Sequence, residues 1–257
     1  MTSSRAFSRG IFFAALFFLT ANLGAADRVK PFIFHLPGIG GHRRIDDFLT
    51  AGIQLGGLDS TVEIYDWTGN NPGLPALTAL DHNRHEAQIV ADHLTEIYRA
   101  HPDRRIILTS HSGGAAIATW ALEKLPDDVH VDTFVMIAAA LSPQYDLSAA
   151  LHHVSGKAYS FSSGIDPILG IGTRNFGTMD RVYTDAAGRV GFTMPPAGDA
   201  QQYAKLINIP YNTIWMRFGN AGEHIGAMMQ PFAQNIISPL LLTGELPVIL
   251  PPTTQTN

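Results

Sequence analysis

A serine lies between a short apolar segment and an apolar helix, in the stretch RIILTSHSGGAA. The residues RIILT are typical of a buried strand, and residues 113–125 predict a helix that ends at Pro126. Ser112 would occupy the turn between them, where its hydroxyl could attack a carbonyl if a base took its proton. Such a turn needs small residues two positions before and after the serine, and Ser110 and Gly114 stand there.

A serine before a helix can also be a simple helix cap, so a nucleophile needs further support. One requirement is a pair of donors for the oxyanion that forms on the attacked carbonyl. The backbone N–H of Gly113 would lie at the helix N-terminus, where the helix dipole favours negative charge. The loop PGIGG, after an apolar segment upstream, predicts the second donor: the N–H of Ile39, with Gly38 as the alternative. Glycine-rich loops are common, so this loop alone is a weak signal.

These stretches together resemble the nucleophile elbow and upstream loop of the α/β-hydrolase superfamily, over residues 29 to about 240. The sequence departs from the G-x-S-x-G pattern in having Ser110 where the superfamily usually has glycine. The resemblance implies an α/β fold, ester hydrolysis as the default reaction, and the chain order serine, acid, histidine.

Candidates for the acid and the histidine follow Ser112 in that order. His224 is the last histidine of the chain and follows the predicted last strand, where the resemblance implies the general base. Asp166 follows the predicted strand KAYSF, where the resemblance implies the carboxylate that orients the imidazole. Asp180 is an alternative acid farther along the chain, and Glu223 is a weaker one beside His224. Asp166 could instead be only a turn residue before a proline.

The rest of the chain alternates strand-like and helix-like segments, which predicts an α/β domain with a mainly parallel sheet of about six strands flanked by helices. Only about 16 residues separate the fourth and fifth strands, so no large cap domain is expected there. The predicted strands are residues 29–36, 61–67, 105–109, 131–140, 157–161 and 213–218, and the predicted helices include 45–58, 83–101 and 224–237.

The Gly- and Pro-rich segment 167–210 is the longest excursion from this pattern and could shape a substrate pocket. Apolar side chains there and in the last helix could line an acyl pocket or could equally belong to the core. They are Phe176, Phe192, Met194, Tyr203 and Met228. Near the PGIGG loop, His42, Asp46 and Asp47 could line the mouth of a pocket, but they are expected to be solvated polar residues.

The two ends of the chain differ from this domain. Residues 1–26 carry Arg5 and Arg9, then an apolar run, then small residues, which predicts a cleaved export signal and a secreted or periplasmic protein. An uncleaved anchor is the alternative, but the run is short for a bilayer span. Residues 27–246 would form the hydrolase domain, and residues 247–257 a flexible tail.

Composition excludes several classes of function. The net charge is −5 and no basic run occurs, which argues against nucleic acid as a partner. The chain has no cysteine, so disulfides and thiolate metal sites are excluded. No cluster with metal-ligand spacing is evident, and the adjacent His152 and His153 are a poor metal pair if both lie on a helix. PGIGG lacks the residues of a phosphate or dinucleotide loop, so no cofactor is expected.

The sequence thus predicts an exported serine hydrolase that acts on a small-molecule acyl substrate through an acyl-enzyme. A thioesterase, an amidase or an acyltransferase would use the same residues. The alternatives from other classes are a binding protein that keeps the fold without turnover and an inert exported domain.

Overall fold

Six parallel strands form the central sheet of the part of the chain that the computed structural model describes, residues 29–69 and 71–249. They are β1 (Phe32–Leu36), β2 (Thr61–Ile64), β3 (Ile106–His111), β4 (Val131–Ile137), β5 (Val154–Ser162) and β6 (Leu206–Pro210). Their spatial order is β2-β1-β3-β4-β5-β6, and every neighbouring pair is parallel. The central strands β1 and β3 are buried along their whole length, as expected for a parallel sheet covered on both faces.

Helices fill the connections between the strands. They are α1 (Arg44–Leu55), α2 (Leu74–Thr78), α3 (Leu80–Ala100), α4 (Gly114–Leu122), α5 (Ser148–His152), α6 (Pro167–Phe176), α7 (Ala187–Val190), α8 (Ala200–Tyr203), α9 (Gln230–Phe232) and α10 (Ser238–Thr243). Every residue of α4 is buried, because this apolar helix lies between the sheet and α3. The single helix α5 connects β4 to β5, so no cap domain is inserted there.

The strand order positions the site. From β1 the chain goes outward to β2 and then returns to place β3 on the other side of β1. In open parallel sheets, ligands bind at such a switch point, beyond the carboxyl ends of the strands. The PGIGG loop follows β1 and Ser112 follows β3, so both lie at this crevice.

The predicted sixth strand was wrong. Residues Thr213–Phe218 form a 3₁₀ helix, and the sixth strand is β6, within the segment expected to be an excursion. The apolar residues of TIWMRF suggested a strand, but Trp215 packs against Phe161 and Phe232 while Asn212 caps the 3₁₀ helix by accepting from the N–H of Ile214. Tertiary packing of one tryptophan thus overrides strand propensity here.

The last helical region also differs from the expected helix 224–237. A short 3₁₀ helix spans Gly226–Met228, Met229 is extended, and a continuous helical stretch then runs from Gln230 through a π-helical turn at Ala233–Ile237 to Thr243. His224 consequently lies in a loop before the helix.

Both ends of the chain reach beyond the described residues. The predicted export signal, residues 1–26, lies outside them, as do residues 250–257 of the predicted tail. Ile249, at the start of that tail, is half-buried and packs against the core. Among the described helices, none combines the length and the apolar character needed to cross a bilayer.

Candidate active site

Ser112 occupies a strained turn between β3 and α4. Its φ is +52°, in the left-handed region that non-glycine residues rarely adopt. The N–H of Ser112 donates to the carbonyl of Ile137 at 2.9 Å, which fixes the turn against β4. Ser110 fits the position of the usual glycine, because its buried hydroxyl donates to the carbonyl of Val135 at 3.2 Å.

Gly114 has no room for a side chain. A Cβ there would collide with the carbonyl oxygens of Leu36 and Pro37, which belong to β1 and the loop after it. We expect Gly114→Ala to lower the unfolding free energy by about 1–3 kcal/mol through overpacking and to lower any activity of the site. Thermal melts would test this, with Gly172→Ala in α6 as the control because open space surrounds that position. Equal melting temperatures for the two variants would contradict the expected clash.

His224 joins Ser112 to Asp166. Its Nε2 lies 3.0 Å from Oγ of Ser112, and its Nδ1 lies 2.7 Å from Oδ2 of Asp166. Because a carboxylate only accepts, Nδ1 carries the proton, and the neutral ring presents the lone pair of Nε2 to the serine. The side chain of Asp166 is 1% exposed and that of His224 is 14% exposed. The three candidates named from the sequence therefore form one hydrogen-bonded row.

Asp166 has a second structural role as the N-cap of α6. Its Oδ1 accepts from the N–H groups of Ile168 and Leu169, at 2.9 and 3.0 Å. Each carboxylate oxygen thus has separate partners. Asp166 can therefore cap α6 as a turn residue before Pro167 and also orient the imidazole of His224.

The other candidate acids have different partners. Asp180 accepts from the backbone N–H of Ser142 at 2.9 Å and from its hydroxyl at 2.5 Å. Glu223 accepts from the N–H of Ala221 at 3.1 Å, within the same loop as His224.

The His224 loop is anchored to neighbouring elements. The hydroxyl of Ser163 donates to the carbonyl of Gly222 at 2.5 Å, and Nε2–H of His111 donates to the carbonyl of His224 at 3.1 Å. Burial, followed by the nearby charge of His224, lowers the pKa of His111 to about 3, so this ring stays neutral near pH 7. His111 therefore holds the His224 loop through this hydrogen bond.

Two backbone N–H groups lie beside Ser112. The carbonyl of Ser112 accepts from Ala115 and Ala140, and the carbonyl of Gly38 accepts from Gly41. In a trans peptide the N–H points opposite to the carbonyl, so the N–H groups of Gly113 and Ile39 point away from these bonds. Within the described residues, neither N–H has a hydrogen-bond acceptor. Cγ2 of Ile39 lies close enough to block a Cβ on Gly113, so the two peptides are neighbours.

A buried network holds the loop after β1. Nε2–H of His35 donates to Oδ1 of Asp46 at 3.0 Å, and Nδ1 of His35 lies 2.9 Å from the hydroxyl of Thr109. Burial would raise the pKa of Asp46, but the hydrogen bonds from His35 and from the N–H of Arg43 outweigh it and lower the pKa. The expectation that Asp46 is solvated was therefore wrong. His35 was missed because a histidine inside an apolar strand carries no spacing signal.

A cavity of about 530 Å³ opens beside Ser112 and His224. This volume lies in the range of small-molecule sites, about 300–1,000 Å³. Its apolar lining comes from Ile39, Ile45, Ile168 and Ile225, and Arg43 and Arg44 also line it.

None of the five side chains considered for an acyl pocket lines this cavity. Phe192 and Met228 belong to the core, Tyr203 donates to the carbonyl of Tyr145, and Phe176 and Met194 are exposed. The actual lining comes from the loop after β1, from the start of α1 and from residues flanking Asp166 and His224, which no local pattern in the sequence brings together.

Comparison with known proteins agrees with this architecture. No protein-family model and no curated protein matches the chain. The crystal structure of lipase B from Aspergillus fumigatus matches 88% of this chain and 55% of its own, with a TM-score of 0.54 and 16% sequence identity. The chain thus spans little more than half the length of that lipase.

Two further solved structures resemble the chain less closely in shape. A predicted CIB-like hydrolase from Thermoplasma acidophilum has a TM-score of 0.45 and 13% identity, covering 85% of this chain and 89% of its own. An acetylxylan esterase has a TM-score of 0.42 and 12% identity, covering 70% and 82%.

With its six-stranded parallel sheet and the match to lipase B, the chain has the α/β-hydrolase fold. The fold predicted from the elbow and the strand pattern is confirmed.

Proposed function

We propose that this protein is an exported serine hydrolase that cleaves carboxylic esters through an acyl-enzyme. The observation that carries the proposal is the hydrogen-bonded row of Ser112, His224 and Asp166, beside two backbone N–H groups without an acceptor among the described residues. A nucleophile, a base, an orienting carboxylate and oxyanion donors are the parts that acyl transfer needs.

The first half of the reaction acylates the serine. Nε2 of His224 takes the hydroxyl proton as Oγ of Ser112 forms a bond to the ester carbonyl carbon, and the carbonyl π electrons move onto oxygen. The N–H groups of Gly113 and Ile39 stabilise that oxyanion. Asp166 stabilises the imidazolium. When the oxyanion collapses, the carbon–oxygen bond to the leaving group breaks, and the alcohol departs with the proton from His224.

The second half releases the acid. A water molecule loses a proton to Nε2 of His224 and attacks the acyl carbon. The oxyanion that forms is stabilised by the same two N–H groups. Collapse breaks the bond to Oγ of Ser112, which recovers the proton, and the carboxylic acid leaves. Thioesters and amides would follow the same steps, and acyl transfer would replace water with another nucleophile.

Two observations favour an ester with an apolar acyl part. The cavity is lined by four isoleucines, and it is large enough for a small-molecule acyl group. At the level of fold alone, the match to a protein named as a lipase points in the same direction. Export rests on the residue pattern of positions 1–26.

The first test is the intact mass of the protein before and after a fluorophosphonate probe. We expect one adduct per chain, on the peptide that contains Ser112, and turnover of at least one ester in a screen that includes thioesters and amides. The mass of protein recovered from the periplasm or medium would also give its first residue, expected at Asp27. A folded protein without an adduct would contradict the hydrolase and favour the binding protein.

A further inference from the structure

A second cluster of chemically capable side chains lies far from Ser112, at the start of two strands. Asp127, His152 and His153 each contribute one ligand atom, and these atoms lie within 4.8 Å of one another. Ser112 follows the carboxyl end of β3, whereas this cluster precedes β4 and β5, so the two lie at opposite edges of the parallel sheet.

The fold brings the three residues together through adjacent strands. Val131, the first residue of β4, pairs with Val154 at the start of β5, and the N–H of Val131 donates to the carbonyl of His153 at 2.9 Å. Asp127 lies in the turn before β4, and His152 is the last residue of α5. His153 lies just beyond the helix end and is not constrained to the helical angle from His152. The expectation of a poor pair applied to two histidines on one helix, and His153 lies outside α5.

A backbone hydrogen bond fixes the ring of His153. Its Nδ1–H donates to the backbone carbonyl of Val129 at 2.9 Å, which leaves Nε2 as the nitrogen with a free lone pair. A second hydrogen bond of this kind commonly orients metal-bound histidines.

The other two ligands are exposed and available. Within the described residues, neither Asp127 nor His152 has a hydrogen bond or an ion pair. The neighbouring Asp128, by contrast, lies 3.8 Å from Arg99. Two exposed side chains can rotate to bring their ligand atoms to about 3.3 Å apart, the separation in a tetrahedral zinc site.

We propose that Asp127, His152 and His153 bind one zinc ion that joins the start of β4 to the start of β5. Zn²⁺ takes imidazole nitrogens together with a carboxylate oxygen, whereas Ca²⁺ and Mg²⁺ prefer oxygen ligands alone. The three residues leave a fourth position for water. Because the ion would close the chain between positions 127 and 152 in the folded state, it stabilises the fold and takes no part in acyl transfer.

The test is a zinc titration of the tag-free protein, by calorimetry and by competition with a chromophoric chelator. We expect one equivalent to bind, and at least about tenfold weaker binding in Asp127→Asn and in His152→Ala. Asp128→Asn and His85→Ala are the matched controls, since both remove an exposed side chain of the same kind outside the cluster, and both should bind like the wild type. Calcium should not bind at the same concentrations.

Thermal melts give a second readout. Zinc at about 100 times its dissociation constant should raise the melting temperature of the wild type and both controls by about 5–10 °C, but not that of the two ligand variants at the same concentration. Absence of saturable one-to-one binding, or equal binding by all four variants, would overturn the proposal. The titration can be made in a Ser112→Ala background, so its result is independent of the proposed hydrolase activity.

Discussion

Ser112→Ala is expected to lower kcat/KM by at least about 10⁴-fold on any ester that the wild type hydrolyses. The substitution removes Oγ of Ser112. Within the described residues, this is the only oxygen at hydrogen-bond distance from Nε2 of His224. The N–H groups of Gly113 and Ile39 remain in the variant, so a small residual rate over water is expected. Steady-state kinetics on the preferred ester, with a fluorophosphonate mass measurement, would test this.

Ser110→Ala is the matched control for that experiment. It removes a buried hydroxyl from β3, the strand that precedes Ser112; this hydroxyl donates to the carbonyl of Val135 and does not contact His224. We expect activity within a few-fold of the wild type and a loss of about 1 kcal/mol in unfolding free energy. Activity retained in a folded Ser112→Ala would remove that serine from the mechanism, and equal losses in both variants would point to damage of the turn.

The fold, Ser112 and Asp166 were accessible from the sequence for related physical reasons, whereas His224 was named after a predicted strand that is a 3₁₀ helix. In a parallel α/β sheet the carboxyl ends of all strands meet at one edge, so residues just after the strands lie close together. Ser112 follows β3 directly and Asp166 follows β5 within a few residues, and their positions depended only on finding those strands. That the three residues catalyse acyl transfer stays a prediction.

Three features depended on contacts that no local pattern encodes. The strand β6 was missed because LINIP is partly exposed and has a weak strand pattern. The apolar residues of TIWMRF have a stronger strand pattern, but they form a 3₁₀ helix. His35 and Asp46 meet only after α1 folds back onto β1. The cluster at Asp127 requires residues 25 positions apart to meet at the start of adjacent strands, so its spacing in the chain is uninformative.

Asp166→Asn is expected to lower kcat by about 10⁴-fold with little change in stability. The amide oxygen of asparagine can keep the cap on Ile168 and Leu169, and asparagine and aspartate are nearly equal as N-caps. Its NH₂ group would then face Nδ1 of His224 and donate to it, which places the ring proton on Nε2. An Nε2–H cannot accept the proton of Ser112. The measurement is kcat beside the melting temperature.

Asp166→Ala separates the two roles of this carboxylate, because alanine removes both the cap and the partner of His224. It should lose activity like Asp166→Asn and also about 1 kcal/mol of unfolding free energy. Asp199→Ala at the N-cap of α8 is the control, since Asp199 accepts from the N–H groups of Gln201 and Gln202 in the same way, at 2.8 and 3.3 Å, but has no histidine partner. It should lose stability alone. If Asp166→Asn kept full activity, the hydrogen bond to His224 would be dispensable and Asp166 would be only a helix cap. If Asp166→Asn lost as much stability as Asp166→Ala, the loss of rate could not be assigned to the position of the imidazole proton.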